Sequence, residues 1–264
     1  MDETGKKVGL FVPCYVNDFY PDAALSTLEV LEAHGFDVEY PENQSCCGQP
    51  FLNNGMIDEA RPLADRFVGL FADYDYVVAP SSSCIGAAKF RYDGVTTDAR
   101  YPLLRPKLYE LCEFLHDVVG VGNLRFDCSF PRRVGLHNSC HAIRELGLAA
   151  PSELNISHYS KIKAVLAKVE GIEIVEPSRD ECCGFGGTFS VQEADVSAMM
   201  GRDRIADHIA NGVDIMAGVD MSCLMHMEGL AKRDGTKMQF VHVAQILAGR
   251  VEGNSEIEDQ REEF

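Results

Sequence analysis

Basic residues are scarce in this 264-residue chain: 24 Lys and Arg stand against 41 Asp and Glu, a formal charge of −17. So acidic a chain has no counterion-release route to nucleic acid and is repelled by anionic lipid, which excludes both as partners. Long apolar runs are also missing, since no stretch approaches the roughly 18 residues that a membrane span needs. No membrane insertion is expected. Lys6-Lys7 leads straight into Val8-Gly9-Leu10-Phe11-Val12, which is too short and wrongly flanked for a secretory signal, so a cytoplasmic protein is expected. The familiar motifs of substrate chemistry are absent as well. There is no Walker loop, no Gly-x-Ser-x-Gly elbow and no His-Glu-x-x-His, and Gly184-Phe185-Gly186-Gly187 lacks the spacing of a dinucleotide loop. What remains is an ordinary globular composition, 46% hydrophobic and 25% charged, enough for one large domain or two small ones.

Cysteine is what the chain has in excess, with ten residues at 14, 46, 47, 84, 112, 128, 140, 182, 183 and 223. With no export signal expected, these thiols should stay reduced, and clustered reduced cysteines hold a metal or perform redox chemistry. Eight of them fall into two copies of one pattern, Cys, Cys-Cys-Gly, Cys. Val8-Gly9-Leu10-Phe11-Val12-Pro13-Cys14 returns as Val134-Gly135-Leu136-His137-Asn138-Ser139-Cys140. Gly35 and Pro41 stand eleven and five residues before Cys46, as Gly171 and Pro177 do before Cys182. The chain is an internal duplication.

Each copy reads as strand, helix, strand, helix, strand. In the first, apolar β-branched runs at Val8–Val12, Phe36–Tyr40 and Tyr76–Ala79 alternate with helical periodicity at Ala23–Ala33 and Met56–Leu70. In the second, strands at Arg133–His137, Ile172–Val175 and Val213–Ala217 alternate with helices near Tyr159–Val169 and Val191–Ala210. The fold class is therefore α/β: two Rossmann-like parallel-sheet halves related by a pseudo-twofold. The expected organisation is a first repeat over 1–125, a second over 126–250, and an acidic, frayed tail over 251–264. Every motif cysteine follows the carboxyl end of a strand, the edge where α/β sheets bind ligands. The first site would be Cys14, Cys46, Cys47 and Cys84, the second Cys140, Cys182, Cys183 and Cys223.

Three chemistries compete for each set. Structural zinc prefers Cys-x2-Cys pairs, which neither half has. An iron–sulfur cluster accepts thiolates from separated loops, as [4Fe–4S] clusters do. Adjacent cysteines do not easily close a relaxed disulfide. The residues favour an iron–sulfur cluster, with zinc in at least one half and redox thiols left open. Gly48, Gly184, Gly186 and Gly187 would bring backbone N–H groups close to such a cofactor. Cys112, at helical spacing with Leu108, Leu111 and Leu115, reads as core, and Cys128 lies outside the repeat. His137, His141 and His226 lie beside motif cysteines as hydrogen-bonding neighbours, ligands or proton donors. His242 reads as a residue at a helix start.

The stretches Asn43-Gln44-Ser45-Cys46-Cys47-Gly48-Gln49-Pro50, Pro80-Ser81-Ser82-Ser83-Cys84, Cys182-Cys183-Gly184-Phe185-Gly186-Gly187-Thr188-Phe189-Ser190 and Ser222-Cys223-Leu224-Met225 resemble the cysteine-rich CCG-domain family. Within it they look most like the lactate utilization protein A family, the iron–sulfur subunits of L-lactate dehydrogenase complexes. More distantly they resemble the cysteine-rich subunit of the heterodisulfide reductases. The resemblance implies an iron–sulfur electron-transfer subunit, with one or two [4Fe–4S] clusters, in a cytoplasmic system oxidising L-lactate, or a related 2-hydroxy acid, to the 2-oxo acid. Its partners would be a second iron–sulfur subunit and a third, smaller one. The heterodisulfide reductases carry a fifth cysteine in a terminal Cys-x-x-Cys. Here Ser81 and Ala87 flank Cys84, and Asp220 and His226 flank Cys223, which argues against thiol–disulfide chemistry of that kind. A zinc-stabilised interaction module is the remaining alternative.

Overall fold

Short apolar segments bounded by Gly and Pro leave room for strands of only three to five residues, and helices occupy most of the chain between them. The computed structural model describes residue 3, residues 5–177 and residues 179–251. The expected acidic tail, from residue 252 onward, lies outside the described residues. The first half runs β1 (Lys7–Leu10), α1 (Cys14–Phe19), α2 (Pro21–Ala33), β2 (Asp37–Glu39), α3 (Gln49–Asn53), α4 (Ile57–Phe71), β3 (Tyr76–Ala79), α5 (Ser82–Phe90), α6 (Tyr101–Leu104), β4 (Leu108–Glu110) and α7 (Leu111–Phe114). The second runs β5 (Arg133–His137), α8 (Cys140–Arg144), α9 (Lys161–Leu166), β6 (Glu173–Val175), α10 (Phe189–Gln192), α11 (Ala194–Ala210), β7 (Ile215–Gly218), α12 (Met221–Asp234), β8 (Gln239–His242) and α13 (Val243–Leu247).

The strands form two four-stranded, all-parallel sheets with the same order, β2-β1-β3-β4 and β6-β5-β7-β8. Val8 pairs with Val38 and Tyr76, and Gly135 with Val175 and Met216, so the repeated Val-Gly-Leu runs form the inner strand of each sheet. Their glycine is a packing requirement. A Cβ at Gly9 would come within 2.9 Å of the Phe71 ring, and one at Gly135 within 2.3 Å of His208 Nδ1. The α/β architecture and internal duplication are as the sequence implies.

Two strands escape the sequence pattern. β4 and β8 are the fourth strand of each sheet, and both lie in segments whose pattern is helical or shows no strand period. Leu108 belongs to β4, and the helix around Cys112 starts only at Leu111, continuing as π-helix over Leu115–Gly120. Cys112 is fully buried in the core, as its apolar neighbours suggest. His242 caps α13, as its position before the apolar run suggests.

The halves share their cores. Leu10, Val12, Val16 and Ala23 of the first pack with Met216, Met221, Leu224 and Met227 of the second, and Val134, Leu136 and Leu247 join the cluster built on Val8, Leu31 and Val77. Helix α2 lies on α13, and α1 on α12. Each fully buried Leu or Val contributes roughly 1.5–3 kcal/mol, so this shared core fixes the orientation of the two sheet edges. Among the described residues, no helix is long and apolar enough to cross a membrane.

Candidate metal centre

The loops leaving the strands place the motif cysteines at the carboxyl edge of each sheet, four of them in the first turn of a helix. Cys14 opens α1 and Cys140 opens α8. Cys84 lies in the first turn of α5, where its N–H donates to the capping Ser81 Oγ at 3.3 Å. Cys223 lies in the first turn of α12, capped by Asp220. Cys46-Cys47 and Cys182-Cys183 sit in loops, each followed by a glycine in the left-handed region, Gly48 at φ 78 and Gly184 at φ 88. That conformation turns the glycine N–H back onto the first sulfur of the pair. Gly48 donates to Cys46 Sγ at 3.4 Å and Gly184 to Cys182 Sγ at 3.3 Å. Phe185 N–H donates to Cys183 Sγ at 3.4 Å. Gly186 and Gly187 line the crevice beside the second set, whose sulfurs take backbone N–H groups from Gly184 and Phe185 instead.

Within each half the four thiols are brought together. Cys14, Cys46, Cys47 and Cys84 form one chain of thiol contacts, and Cys140, Cys182, Cys183 and Cys223 another. Hydrogen bonds from Cys14 and Cys47 hold the Cys46 thiol down to about 3, and those from Cys140 and Cys183 hold Cys182 down to about 2. Their partners move the other way. Cys14 and Cys140 are raised by the thiol they share a proton with and by burial, and so are the buried Cys47 and Cys183. Within each set Cys46 or Cys182 is thus the sulfur that gives up its proton most readily, and the thiolate is the form in which sulfur binds a metal. Four convergent thiols with backbone donors on the sulfurs suit metal or iron–sulfur binding.

The two sets also face each other. All eight motif cysteines line a single crevice, together with Tyr15, Gln49, His141 and Phe185. A buried carboxylate joins the walls. Asp220 accepts from Ser83 N–H at 2.8 Å, Ser82 Oγ at 3.0 Å and Ser222 Oγ at 2.6 Å, while Ser82 Oγ and Ser139 Oγ are 2.6 Å apart. Ser81 and Asp220 form an antiparallel bridge between the halves. Ser81 and Asp220, which stand where a fifth cysteine would precede Cys84 and Cys223, thus cap helices and join the repeats. Sequence reasoning does not find Asp220 or Ser82 as joining residues, because their partners lie in the other half. The one local signal is their place at the start of helices.

The three histidines beside the motif cysteines differ. His141 bridges the halves, with Nε2 3.0 Å from Gln49 Nε2 and Nδ1 3.6 Å from Cys140 Sγ. His226 Nε2 lies 3.3 Å from the Ser197 carbonyl. His137, at the end of β5, is 2% exposed, and its Nε2 has no hydrogen-bond partner among the described residues. Burial pushes it down to about 3, with Arg204 and His208 adding to the effect. Its ring nitrogen and the sulfurs of Cys183 and Cys223 all lie within 4.8 Å of one another. Cys128 is remote from the crevice, its sulfur 3.4 Å from the Ile246 carbonyl.

The family model of the cysteine-rich domain CCG matches residues 8–88 and again residues 134–228. Lactate utilization protein A of Halalkalibacterium halodurans is 37% identical over 248 residues, 91% of this chain and 96% of its own. The protein of the same name from Geobacillus thermodenitrificans is 38% identical over 92% of this chain and 99% of its own. That from Bacillus subtilis is 34% identical over 92% and 100%. Glutamate racemase RacE1 of Bacillus anthracis overlays with a TM-score of 0.37 at 8% identity, over 94% of this chain and 80% of its own, too loose a likeness to carry an argument. With its motif present in both halves and full-length relatives above 30% identity, the chain belongs to the cysteine-rich CCG family and, within it, to the lactate utilization protein A family.

Proposed function

We propose that the protein is an iron–sulfur electron-transfer subunit of a multi-component system that oxidises L-lactate, or a related 2-hydroxy acid, to the 2-oxo acid. The observation that carries this reading is the convergence of two four-thiol sets on one crevice, each with a readily deprotonated thiol and a glycine N–H on its sulfur. Cys14, Cys46, Cys47 and Cys84 would hold one centre, and Cys140, Cys182, Cys183 and Cys223 the other. When bound, an iron–sulfur cluster supplies one-electron redox capacity. The chain's own residues supply the rest. The thiolates bind, the backbone N–H groups of Gly48, Gly184 and Phe185 stabilise negative charge on sulfur, and the Asp220 network holds the two walls in register. The names of the relatives support lactate as substrate. The partners would be a second iron–sulfur subunit and a third, smaller one.

Anaerobic purification with iron, acid-labile sulfide and zinc counted per chain tests the reading. About eight iron and eight sulfide match two [4Fe–4S] clusters, and about four match one. Cys47→Ser and Cys183→Ser should each remove the iron of its own half and leave the other. Zinc without iron in both halves would sink the redox reading and leave a structural module.

A further inference from the structure

The two halves depart from each other in one buried layer behind the cysteines. Phe11 stands three residues before Cys14, and His137 takes the same place before Cys140. Phe11 packs edge-on against Phe67 and Phe71 of α4, with ring centroids 5.0 and 5.8 Å apart. The matching turns of α11 carry Arg204 and His208. Gly9 of β1 lies against Phe71 as Gly135 of β5 lies against His208, and one turn earlier in each helix Phe67 corresponds to Arg204. An aromatic layer has become imidazole, guanidinium and imidazole, all buried at 2%, 1% and 1% exposure.

Buried polar groups are unfavourable unless each finds a partner. Arg204 Nη1 donates to Asp207 Oδ2 at 3.1 Å and to the Arg179 carbonyl, and Arg204 Nη2 lies 3.4 Å from His208 Nε2. His137 Nε2 has no such partner, and a nitrogen of the same ring lies within 4.8 Å of the sulfurs of Cys183 and Cys223. The other two histidines beside motif cysteines are occupied, His141 by Gln49 and Cys140, His226 by Ser197. The open Nε2 of His242 lies beside the Val219 and Pro80 carbonyls instead of the sulfurs. One imidazole nitrogen and two sulfurs at this separation fit around a single first-row metal, which bonds nitrogen at about 2.0–2.1 Å and sulfur at about 2.3 Å.

We propose that His137 Nε2 is a ligand of the metal centre held by the second half, making that centre mixed thiolate–imidazole while the first is thiolate alone. The proposal rests on the reading of the motif cysteines as metal ligands. Its physical consequence is an unequal pair, because an imidazole is neutral where a thiolate is charged. The imidazole adds a neutral donor to the four cysteines of the second half; where it takes the place of one thiolate on the metal, that centre carries less negative charge and its potential rises, as with histidine in place of cysteine elsewhere.

The test uses the full chain with Cys47→Ser, which leaves the second centre as the one under observation. It is purified without oxygen, loaded with ferrous iron and sulfide, and labelled with 15N-histidine. X-ray absorption at the edge of the bound metal and pulsed electron paramagnetic resonance of the reduced state then read its donors. A histidine nitrogen bonded to metal is expected, lost in His137→Phe and His137→Gln and retained in His141→Ala. Phe is the residue the first half carries, and Gln keeps a polar group, so one of them failing to fold leaves the other. The unsubstituted His137 chain decides the matter even without them. Metal in the second half with sulfur donors alone overturns the inference and leaves the proposed function standing. A second half that holds no metal overturns the inference, and the iron content of the unsubstituted chain then decides the proposed function.

Discussion

Alanine at Gly184 and alanine at Gly48 perturb the same motif position with unequal force. Both glycines are in the left-handed region, where a Cβ costs about 1–2 kcal/mol. At Gly48 the added carbon meets ordinary neighbours, Leu63 Cδ1 at 3.5 Å and the Ala60 carbonyl at 3.8 Å. At Gly184 it would stand 2.5 Å from the Ser197 carbonyl oxygen and 2.8 Å from Met200 Cβ. The first of those is helix backbone of α11, which cannot swing aside as a side-chain tip does. Either the helix or the cysteine loop has to move, and overpacking of that kind adds roughly 1–3 kcal/mol. Gly48→Ala should therefore lose about 1–2 kcal/mol and Gly184→Ala about 2–5 kcal/mol. Movement of the loop also takes the Gly184 N–H off Cys182 Sγ, so metal in the second half should fall further than metal in the first. Urea unfolding followed by circular dichroism, with iron counted on the same anaerobic samples, measures both effects. Losses equal to within about 0.5 kcal/mol would refute the packing argument, since that is the spread expected of sites without special features.

Three further outcomes are expected. Asp220→Ala removes the acceptor of the buried Ser83 N–H and Ser82 Oγ from the other half and of the part-buried Ser222 Oγ and should lower stability by about 2 kcal/mol or more; a urea midpoint within error of the wild type would show that the bridge contributes nothing. His242 is fully buried and pushed down to about 4, mainly by burial. The unfolded chain therefore binds its proton first as pH falls, so this contribution is complete above about pH 6.5 and is lost progressively towards pH 4. By pH 5 about 2 kcal/mol of it has been lost. His242→Gln should flatten the fall in stability across that window, and an unchanged slope counts against a buried neutral imidazole. Cys112→Ala removes a fully buried sulfur in the core, so stability should drop by roughly 1–2 kcal/mol with the iron content unchanged; loss of iron would place this cysteine in the site.

Which cysteines belong together is legible in the linear sequence because a parallel sheet imposes it. Returning from one strand to its parallel neighbour takes a helix-bearing crossover, so residues following successive strands recur at long, regular intervals. Cys14, Cys46-Cys47 and Cys84 record that geometry once, and Cys140, Cys182-Cys183 and Cys223 record it again. The helices α2 and α4 are legible for a related reason, since their apolar stripes are long enough to show a period. Leu108–Glu110 and Gln239–His242 are too short to show one, and only pairing with β3 and β7 makes them strands.

Local patterns and spacings thus carry the α/β class, the duplication and the membership of each four-cysteine set. That both sets open onto one crevice is a matter of packing, because it depends on how α1, α2, α12 and α13 share a core across the halves. Packing also joins Asp220 to Ser82 and Ser83, more than a hundred residues away in the chain. The same holds for His137, which local sequence associates with Cys140 but which lies within reach of Cys183 and Cys223 because β5 sits between β6 and β7. Contacts between distant segments are set by how the elements pack, and no spacing along the chain records them.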